Sequence, residues 1–473
     1  MTKFDTGTEL PDNFILTEEF EQTYKLINDT NTNLFITGKA GSGKSTLLEY
    51  FRQNTNKNFA TLAFQGITAI KAKGQTIHSF FKFPPHFITK ENIKELRDKK
   101  VIQNLDTILI DEISMVRADL FDAIDLSLKK NRNSNKPFGG VQIILFGDVM
   151  QIDPIVGADD EVMQKFYPGP FFFNSNSFSK DDFKQLELTK IFRQSDKTFV
   201  DLLNKIRMNK VDNNDLDLLN KRLVESENTP KETIILAPTN RKVDDINNTN
   251  LYRLKTPTHN YNAIIKGTWK DKEHPVKKEI ILKVGSQVMI TKNDADEPKR
   301  WVNGTLGIVT FLSKDQIKVN IKGKVFSIGK TKWDKYIYQF SGSKVNTKSV
   351  GSFIQFPIKL AWATTIHKAQ GQTFDKVCID LDTGSFSHGQ TYVALSRAKS
   401  INGITLLKRI NKKDIIFDNR VLEFIGQKLE KKYIKEIMNK NKITKKKNIT
   451  RSNSNTSESD WTTSDDNKLI ALY

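Results

Sequence analysis

The chain has 473 residues, 37% of them hydrophobic, a formal net charge of +19 and a pI near 9.5. Such a length allows two to four domains around a large core, and so basic a balance favours an anionic partner, most often nucleic acid, although the richness in Lys, Asn and Ile also fits AT-rich coding bias. A single cysteine, Cys378, excludes a disulfide framework, and without a signal core or a membrane-length apolar run the chain reads as soluble and intracellular, cytoplasmic in a bacterium or virus and nuclear or mitochondrial in a eukaryote.

The first predicted strand is "NLFIT" (33–37), followed by "TGKAGSGKSTLL" (37–48) and a helix over "KSTLLEYFRQ" (44–53). Gly38-x-x-x-x-Gly43-Lys44-Ser45 is a phosphate-loop pattern: backbone N–H groups cradle phosphates, Lys44 reaches the β and γ groups, and Ser45 holds Mg²⁺. The helix that follows turns its positive end to the same phosphates. Further strands are predicted at "FATLAF" (59–64), "DTILI" (106–110) and "VQIILF" (141–146), separated by helical stretches, which argues for a parallel sheet covered on both faces. The segment 81–104, with Pro84 and Pro85, breaks this rhythm and reads as a small insertion.

Two of those strands end in chemistry. In "TILIDEISM", Asp111 is placed to bind Mg²⁺ through its water shell and Glu112 to position and deprotonate an attacking water. In "LFGDVMQIDPIV", the amide of Gln151 sits at the carboxyl end of a strand, where ligands bind in open α/β sheets. "LTKIFRQSD" and "TYVALSRAKS" place Arg193 and Arg397 to offset charge developing on a γ-phosphate.

A second α/β series is predicted from "TIILAPTN" (233–240), resuming with "KLAWATTIHKAQGQ" (359–372), "KVCIDL" (376–381) and "GITLL" (403–407). Between its parts, short β-like pieces over 285–352 suggest a small inserted β-barrel. The apolar setting of Cys378 predicts a buried structural thiol. Residues 427–460 read as a basic helix passing into a polar linker, and "WTTSDDNKLIALY" as a helix start.

The motifs "TGKAGSGKST", "GITAIKAKGQTIHSFF", "ILIDEISM", "FGDVMQIDPIV", "LTKIFRQ", "WVNGTLGIV", "TIHKAQGQTFDKV" and "YVALSRAK" strongly resemble, in order, those of the PIF (petite integration frequency) DNA helicases, relatives of the RecD helicases in superfamily 1B. The resemblance covers residues 16 to about 410. It implies an α/β protein with two RecA-like P-loop NTPase cores with parallel sheets, one over 1–190 and one over 191–284 and 353–412. It also implies a wedge at 81–104, an inserted SH3-like β-barrel at 285–352 and a basic tail at 413–473. The implied activity is ATP-dependent 5′-to-3′ unwinding of DNA, with ATP and Mg²⁺ as cofactors, single-stranded and forked duplex DNA as partners, and a monomer sufficing.

Carried over by position, Gly38, Ala40, Gly41, Ser42, Gly43, Lys44, Ser45 and Thr46 bind the nucleotide, and Gly371 lies near its γ-phosphate. Gln22 reads adenine, Gln151 senses the γ-phosphate, Arg193 and Arg397 act as arginine fingers, and Thr68, His78, His367 and Lys368 contact DNA. Phe64, Phe81 and Trp362 are candidates for base stacking, whereas the run 171–173 reads as core. A catalytically idle DNA-binding factor and an RNA-stimulated translocase are the alternatives.

Overall fold

The computed structural model describes residues 10 and 14–426, apart from short stretches at 98, 180–181, 193–195, 226–229, 231, 295, 297–298 and 342. The readings made for 427–460 and for the last thirteen residues, and the placement of Arg193, lie outside the described residues.

A first lobe contains α1 (Glu18–Asp29), β1 (Asn33–Gly38), α2 (Lys44–Asn54), β2 (Phe59–Ala63), α3 (Gly66–Lys71), β3 (Gln75–Thr76), α4 (Ile77–Phe81), α5 (Lys99–Gln103), β4 (Thr107–Asp111), α6 (Ala118–Arg132), β5 (Gln142–Phe146), α7 (Asp160–Phe166) and β6 (Phe183–Leu188). Its six strands lie in the order β3-β2-β4-β5-β1-β6 and all pair in parallel. The central strands are mostly apolar and buried along nearly their whole length because both faces are covered. On one side α1 and α2 bury Phe20, Ile27, Leu47 and Phe51 against β1, β4 and β5. On the other, α6 packs beside an aromatic cluster in which Phe35 meets Phe172 at 5.5 Å and Phe121 meets Phe138 at 5.5 Å. Phe171 and Phe172 are core residues, as the sequence suggested. Strand β6 escaped sequence reading because "FKQLEL" mixes polar and apolar residues without a clear period, and as an edge strand it buries only Phe183 and Leu188 at its ends.

The second lobe contains α8 (Lys197–Arg207), α9 (Asn213–Asn220), β7 (Ile234–Ala237) and α10 (Asn240–Arg253), then, after a long insertion, β18 (Ala363–Thr365), β19 (Val377–Ile379), α11 (Gln390–Leu395) and β20 (Ile404–Leu406). Its parallel sheet runs β18-β7-β19-β20. Cys378 is fully buried on β19, and burial pushes its thiol pKa up to about 12, as expected of a structural residue.

The insertion is larger than the sequence suggested and starts earlier. It comprises β8 (His259–Asn262), β9 (Ile264–Gly267), β10 (Glu279–Leu282), β11 (Gln287–Ile290), β12 (Leu306–Leu312), β13 (Ile317–Ile321), β14 (Lys324–Ile328), β15 (Thr331–Ser341), β16 (Lys344–Gln355) and β17 (Ile358–Leu360). These strands form a five-stranded sheet, β14-β13-β12-β11-β17, flanked by a three-stranded sheet, β15-β16-β9, and the pair β10-β8. They share a core that includes Val288, Phe353 and Phe356. The β15–β16 hairpin reaches the first lobe. The Tyr338 hydroxyl accepts from Thr61 N–H at 2.7 Å, the Tyr336 carbonyl accepts from the Gln75 amide at 3.0 Å, and the Phe80 and Tyr338 rings meet edge-on at 5.7 Å.

Segment 81–104 lies along α6 rather than standing apart. Ile88 and Ile93 are buried, Ile88 N–H donates to Asp119 Oδ2 at 2.9 Å, and Leu96 N–H donates to Asn131 Oδ1 at 2.8 Å. Pro85 is exposed at its tip. Residues 413–418, expected in the tail, belong to the compact unit that ends at Asp418, with Asp414 and Ile415 buried. Residues 419–426 are helical and belong to a second unit. Among the described residues no helix is long and apolar enough to cross a membrane.

Candidate functional site

Strand β1 delivers the chain to Gly38, and α2 starts at Lys44 with Gly43 as its N-cap at φ 85°, ψ 16°. Gly43 is required twice over: its φ lies in the left-handed region, and a Cβ there would stand 2.7 Å from Phe20 Cζ. The Lys44 ammonium donates to the carbonyls of Gly38 at 2.6 Å and Lys39 at 3.3 Å. Burial lowers its pKa, opposed by Asp148, Glu112 and Asp111 nearby. The Ser42 hydroxyl is buried and has no hydrogen-bond partner among the described residues.

Above this loop lies a cavity of about 600 Å³. Its floor is the loop from Ala40 to Thr46, and its far end is apolar, formed by Phe14, Ile15, Phe20 and Phe192. Backbone N–H groups at a helix start, an orphaned buried hydroxyl and an aromatic end fit a nucleoside triphosphate. Gln22 is not part of it. Its amide donates to Glu18 Oε1 at 2.9 Å on the exposed face of α1, which corrects the adenine-reading assignment. The cause is helical pitch: two residues turn the side chain about 200°, so with Phe20 facing the cavity Gln22 faces away.

At the end of β4, Asp111 Oδ1 accepts from the N–H of Glu112 at 2.9 Å, and Glu112 itself has φ 52°, ψ 49°. A left-handed glutamate costs conformational energy and persists where the surroundings over-determine it. That backbone turn brings Glu112 to the cavity wall, where buried Gln151 also sits.

The second lobe supplies the opposite wall through Gly371, Thr373 and Arg397. Arg397 is 1% exposed, and its guanidinium donates to the Val393 carbonyl at 2.9 Å, the Gln372 carbonyl at 3.2 Å and Ser396 Oγ at 2.8 Å. Further contacts among the described residues join the lobes around the cavity, none foreseen from sequence. Ala40 N–H donates to the Tyr392 hydroxyl at 3.3 Å. Arg207 on α8 pairs with Asp148 at 2.9 Å, their side chains 10% and 0% exposed. His388 Nε2 meets the Val149 carbonyl at 3.0 Å, while its Nδ1 accepts from Asp418 N–H at 3.1 Å. Gln370 Nε2 donates to Glu112 Oε2 at 3.0 Å and to Gln151 Oε1 at 3.1 Å. Asp148, Gln370 and Tyr392 lie inside quoted motifs, so position marked them, whereas no local pattern marks Arg207.

A second cavity, a groove of about 480 Å³, runs between both lobes and the insertion. Thr68 and Lys368 line it, as do Trp333, Gln370 and Gln372. Lys368 is exposed, and its ammonium donates to Asn240 Oδ1 at 2.9 Å. His78 and His367 are half-buried outside the groove lining, and burial lowers both imidazole pKa values. His78 packs edge-on against Phe64 at 5.9 Å. Phe81 is 2% exposed and stacks on Phe83 at 5.2 Å, so it is core rather than a base platform. Trp362 is half-buried outside the lining, and the groove's tryptophan is Trp333.

The family model for PIF1-like helicases matches residues 15–217, and that for the viral superfamily 1 RNA helicase core domain matches residues 301–404. The ATP-dependent DNA helicase PIF1 of Danio rerio is 31% identical over 84% of this chain and 64% of its own length, so the chain spans under two thirds of that relative. The ATP-dependent DNA helicase Pif1 of Bdellovibrio bacteriovorus is 31% identical over 84% of this chain and 88% of its own length. Pif1 from Bacteroides sp in complex with ADP-AlF4 superposes with a TM-score of 0.81 at 37% identity, covering 89% of this chain and 98% of that one. Bacteroides Pif1 bound to single-stranded DNA superposes with a TM-score of 0.64 at 38% identity, covering 87% of this chain and 96% of that one. With matches of this extent, in a chain whose glycine-rich loop, Glu112 at the end of β4 and second-lobe Arg397 meet around one cavity, the chain belongs to the PIF1-like helicase family.

Proposed function

We propose that this chain is an ATP-dependent DNA helicase that moves 5′ to 3′ on single-stranded DNA and opens forked duplex, in replication, repair or recombination. The observation that carries the reading is a nucleotide-sized cavity walled by both lobes, backing onto a groove through the shared segment 368–373. Closing the lobes on ATP and letting them part after hydrolysis changes the groove's length, and alternating grip turns that change into steps.

Within the cavity, Lys44 holds the β and γ phosphates and the loop N–H groups cradle them. Gln151 orients the attacking water, Glu112 takes its proton, and Arg397 and Arg193 offset charge on the departing phosphoryl group. Ser45 Oγ and Asp111 would hold Mg²⁺, which supplies charge neutralisation on the phosphates. The lobes correspond to the two RecA-like cores, the β insertion to an SH3-like barrel that closes over DNA, and the tip at Pro85 to a wedge at the fork. Both cavity and groove are completed within one chain, so a monomer suffices.

The test is unwinding of duplexes carrying a 5′ or a 3′ overhang, with ATP and Mg²⁺. Opening of the 5′-tailed duplex alone is expected; equal opening of both, or of the 3′-tailed one only, refutes the direction. Because Ile88 and Ile93 are buried, the wedge is tested by Pro85→Gly with His86→Gly rather than by deletion. Unwinding should fall while DNA-stimulated ATP hydrolysis persists. The match of residues 301–404 to an RNA helicase core favours an RNA-stimulated translocase as the second reading. Hydrolysis stimulated more by single-stranded RNA than by DNA of the same sequence would select it.

A further inference from the structure

Segment Lys368–Thr373 is a partition with two faces. Lys368, Gln370 and Gln372 line the groove, while Gly371 and Thr373 line the nucleotide cavity. Gln370 alone among them reaches through. It comes from the second lobe and its amide nitrogen donates at 3.0 Å to Glu112 and at 3.1 Å to Gln151, both on the first lobe and both assigned above to the attacking water. A carboxylate can only accept, so the NH₂ end of the amide must face Glu112. The Gln370 carbonyl oxygen is thereby left buried without a hydrogen-bond partner among the described residues. An orphaned buried acceptor is an expensive arrangement, and the side chain gains by any rearrangement that pairs it. The groove offers one, since a base N–H can meet that oxygen.

We infer that Gln370 is a positioning residue that couples the groove to hydrolysis. Bridged as it stands, its amide ties one carboxylate oxygen of Glu112 to the side-chain oxygen of Gln151, restraining both groups assigned to the attacking water. A strand lying in the groove turns the amide towards itself and frees both. Hydrolysis without a strand is therefore slow because its two water-handling groups are tied down, while the nucleotide-binding groups are untouched. This rests on the motor reading above.

The test uses the full chain with Gln370→Met, which matches the shape but cannot donate, and Gln370→Asn, which keeps the amide but is too short to bridge both partners. ATP hydrolysis is measured against ATP concentration, with and without a saturating single-stranded oligonucleotide, on variants whose melting temperatures match wild type. The rate without oligonucleotide should rise about tenfold in both variants, as expected for losing a hydrogen bond to a charged group. KM for ATP should stay unchanged, because Gln370 does not line the nucleotide cavity. The rate with oligonucleotide should stay within about twofold, so that the stimulation ratio collapses. If the wild-type chain is stimulated and the variants show an unchanged or lower rate without oligonucleotide, the coupling is wrong and the motor reading stands. A wild-type chain that never hydrolyses ATP overturns both.

Discussion

Breaking the ion pair between Asp148 and Arg207 should damage stability and catalysis in ways that separate. The pair is enclosed at the lobe interface, with distances of 2.9 and 3.4 Å, and a fully buried carboxylate. Burial alone would raise the Asp148 pKa, but Arg207 and Lys44 beside it bring it below the ordinary value, and Asp148 in turn holds the guanidinium charged. Asp148→Asn or Arg207→Met removes one partner and leaves the other charge buried alone, which costs about 3–5 kcal/mol. The double variant leaves no orphaned charge and should return to within about 2 kcal/mol of wild type, giving a coupling energy of about 4 kcal/mol or more. Catalysis should not return. Asp148 is the carboxylate that does most to support the buried Lys44 ammonium against desolvation, so without it the lysine is less firmly held at the loop. A loss of about 1.4 kcal/mol of attraction for phosphate raises KM for ATP tenfold. Urea denaturation followed by circular dichroism gives the first quantity and steady-state hydrolysis the second. Strictly additive destabilisation, or a double variant with wild-type KM, would refute the reasoning.

Lys44→Ala should abolish ATP turnover while nucleic-acid binding persists, and turnover at wild-type rate would defeat the phosphate-loop assignment. Gly43→Ala forces a side chain into a left-handed position 2.7 Å from the Phe20 ring, so both nucleotide affinity, by fluorescent-nucleotide titration, and melting temperature should fall. Tyr338→Phe removes a hydroxyl bonded to the Thr61 backbone at 2.7 Å, loosening the hairpin by about 1 kcal/mol, which hydrogen exchange at residues 59–63 would report. His78, His367 and His388 all have pKa values lowered by burial, so the folded chain binds fewer protons than the unfolded one as pH falls through about 6.5. Stability should be full above that pH and decline below it, by at most about 1.4 kcal/mol per pH unit for each histidine. His388→Gln should flatten the decline in a melting-temperature profile from pH 7.5 to 5.5.

The parallel sheets were legible because "TILID" and "VQIILF" are continuous apolar runs, the signature of strands buried on both faces. The turn of the glycine-rich loop before Lys44 was legible because its glycine spacing is dictated locally by backbone geometry. Tertiary relations were not. Phe20 and Gln22 stand two apart on one helix, and only packing decides which of them faces the cavity. Arg207 sits in an ordinary amphipathic helix, and its partner Asp148 is 59 residues away. The β15–β16 hairpin was missed because "KWDKYIYQF" mixes lysine, aspartate and aromatics, being half-covered along its length rather than clearly two-faced.

The placement of the β insertion sets an order of assembly. In the second lobe β7 pairs with β18 through Ile235 and Ala363, so neighbours in one sheet are separated in sequence by the whole insertion. Closing a flexible loop of that length costs roughly 4 kcal/mol in chain entropy before any ladder bond repays it. A pre-formed insertion, with its own core around Phe353 and Phe356, lowers that cost by holding its two ends together. The lobe that carries Arg397 thus matures only after a segment that contributes nothing to the nucleotide cavity, and a lesion buried in that segment would surface first as slow recovery of ATP turnover on refolding.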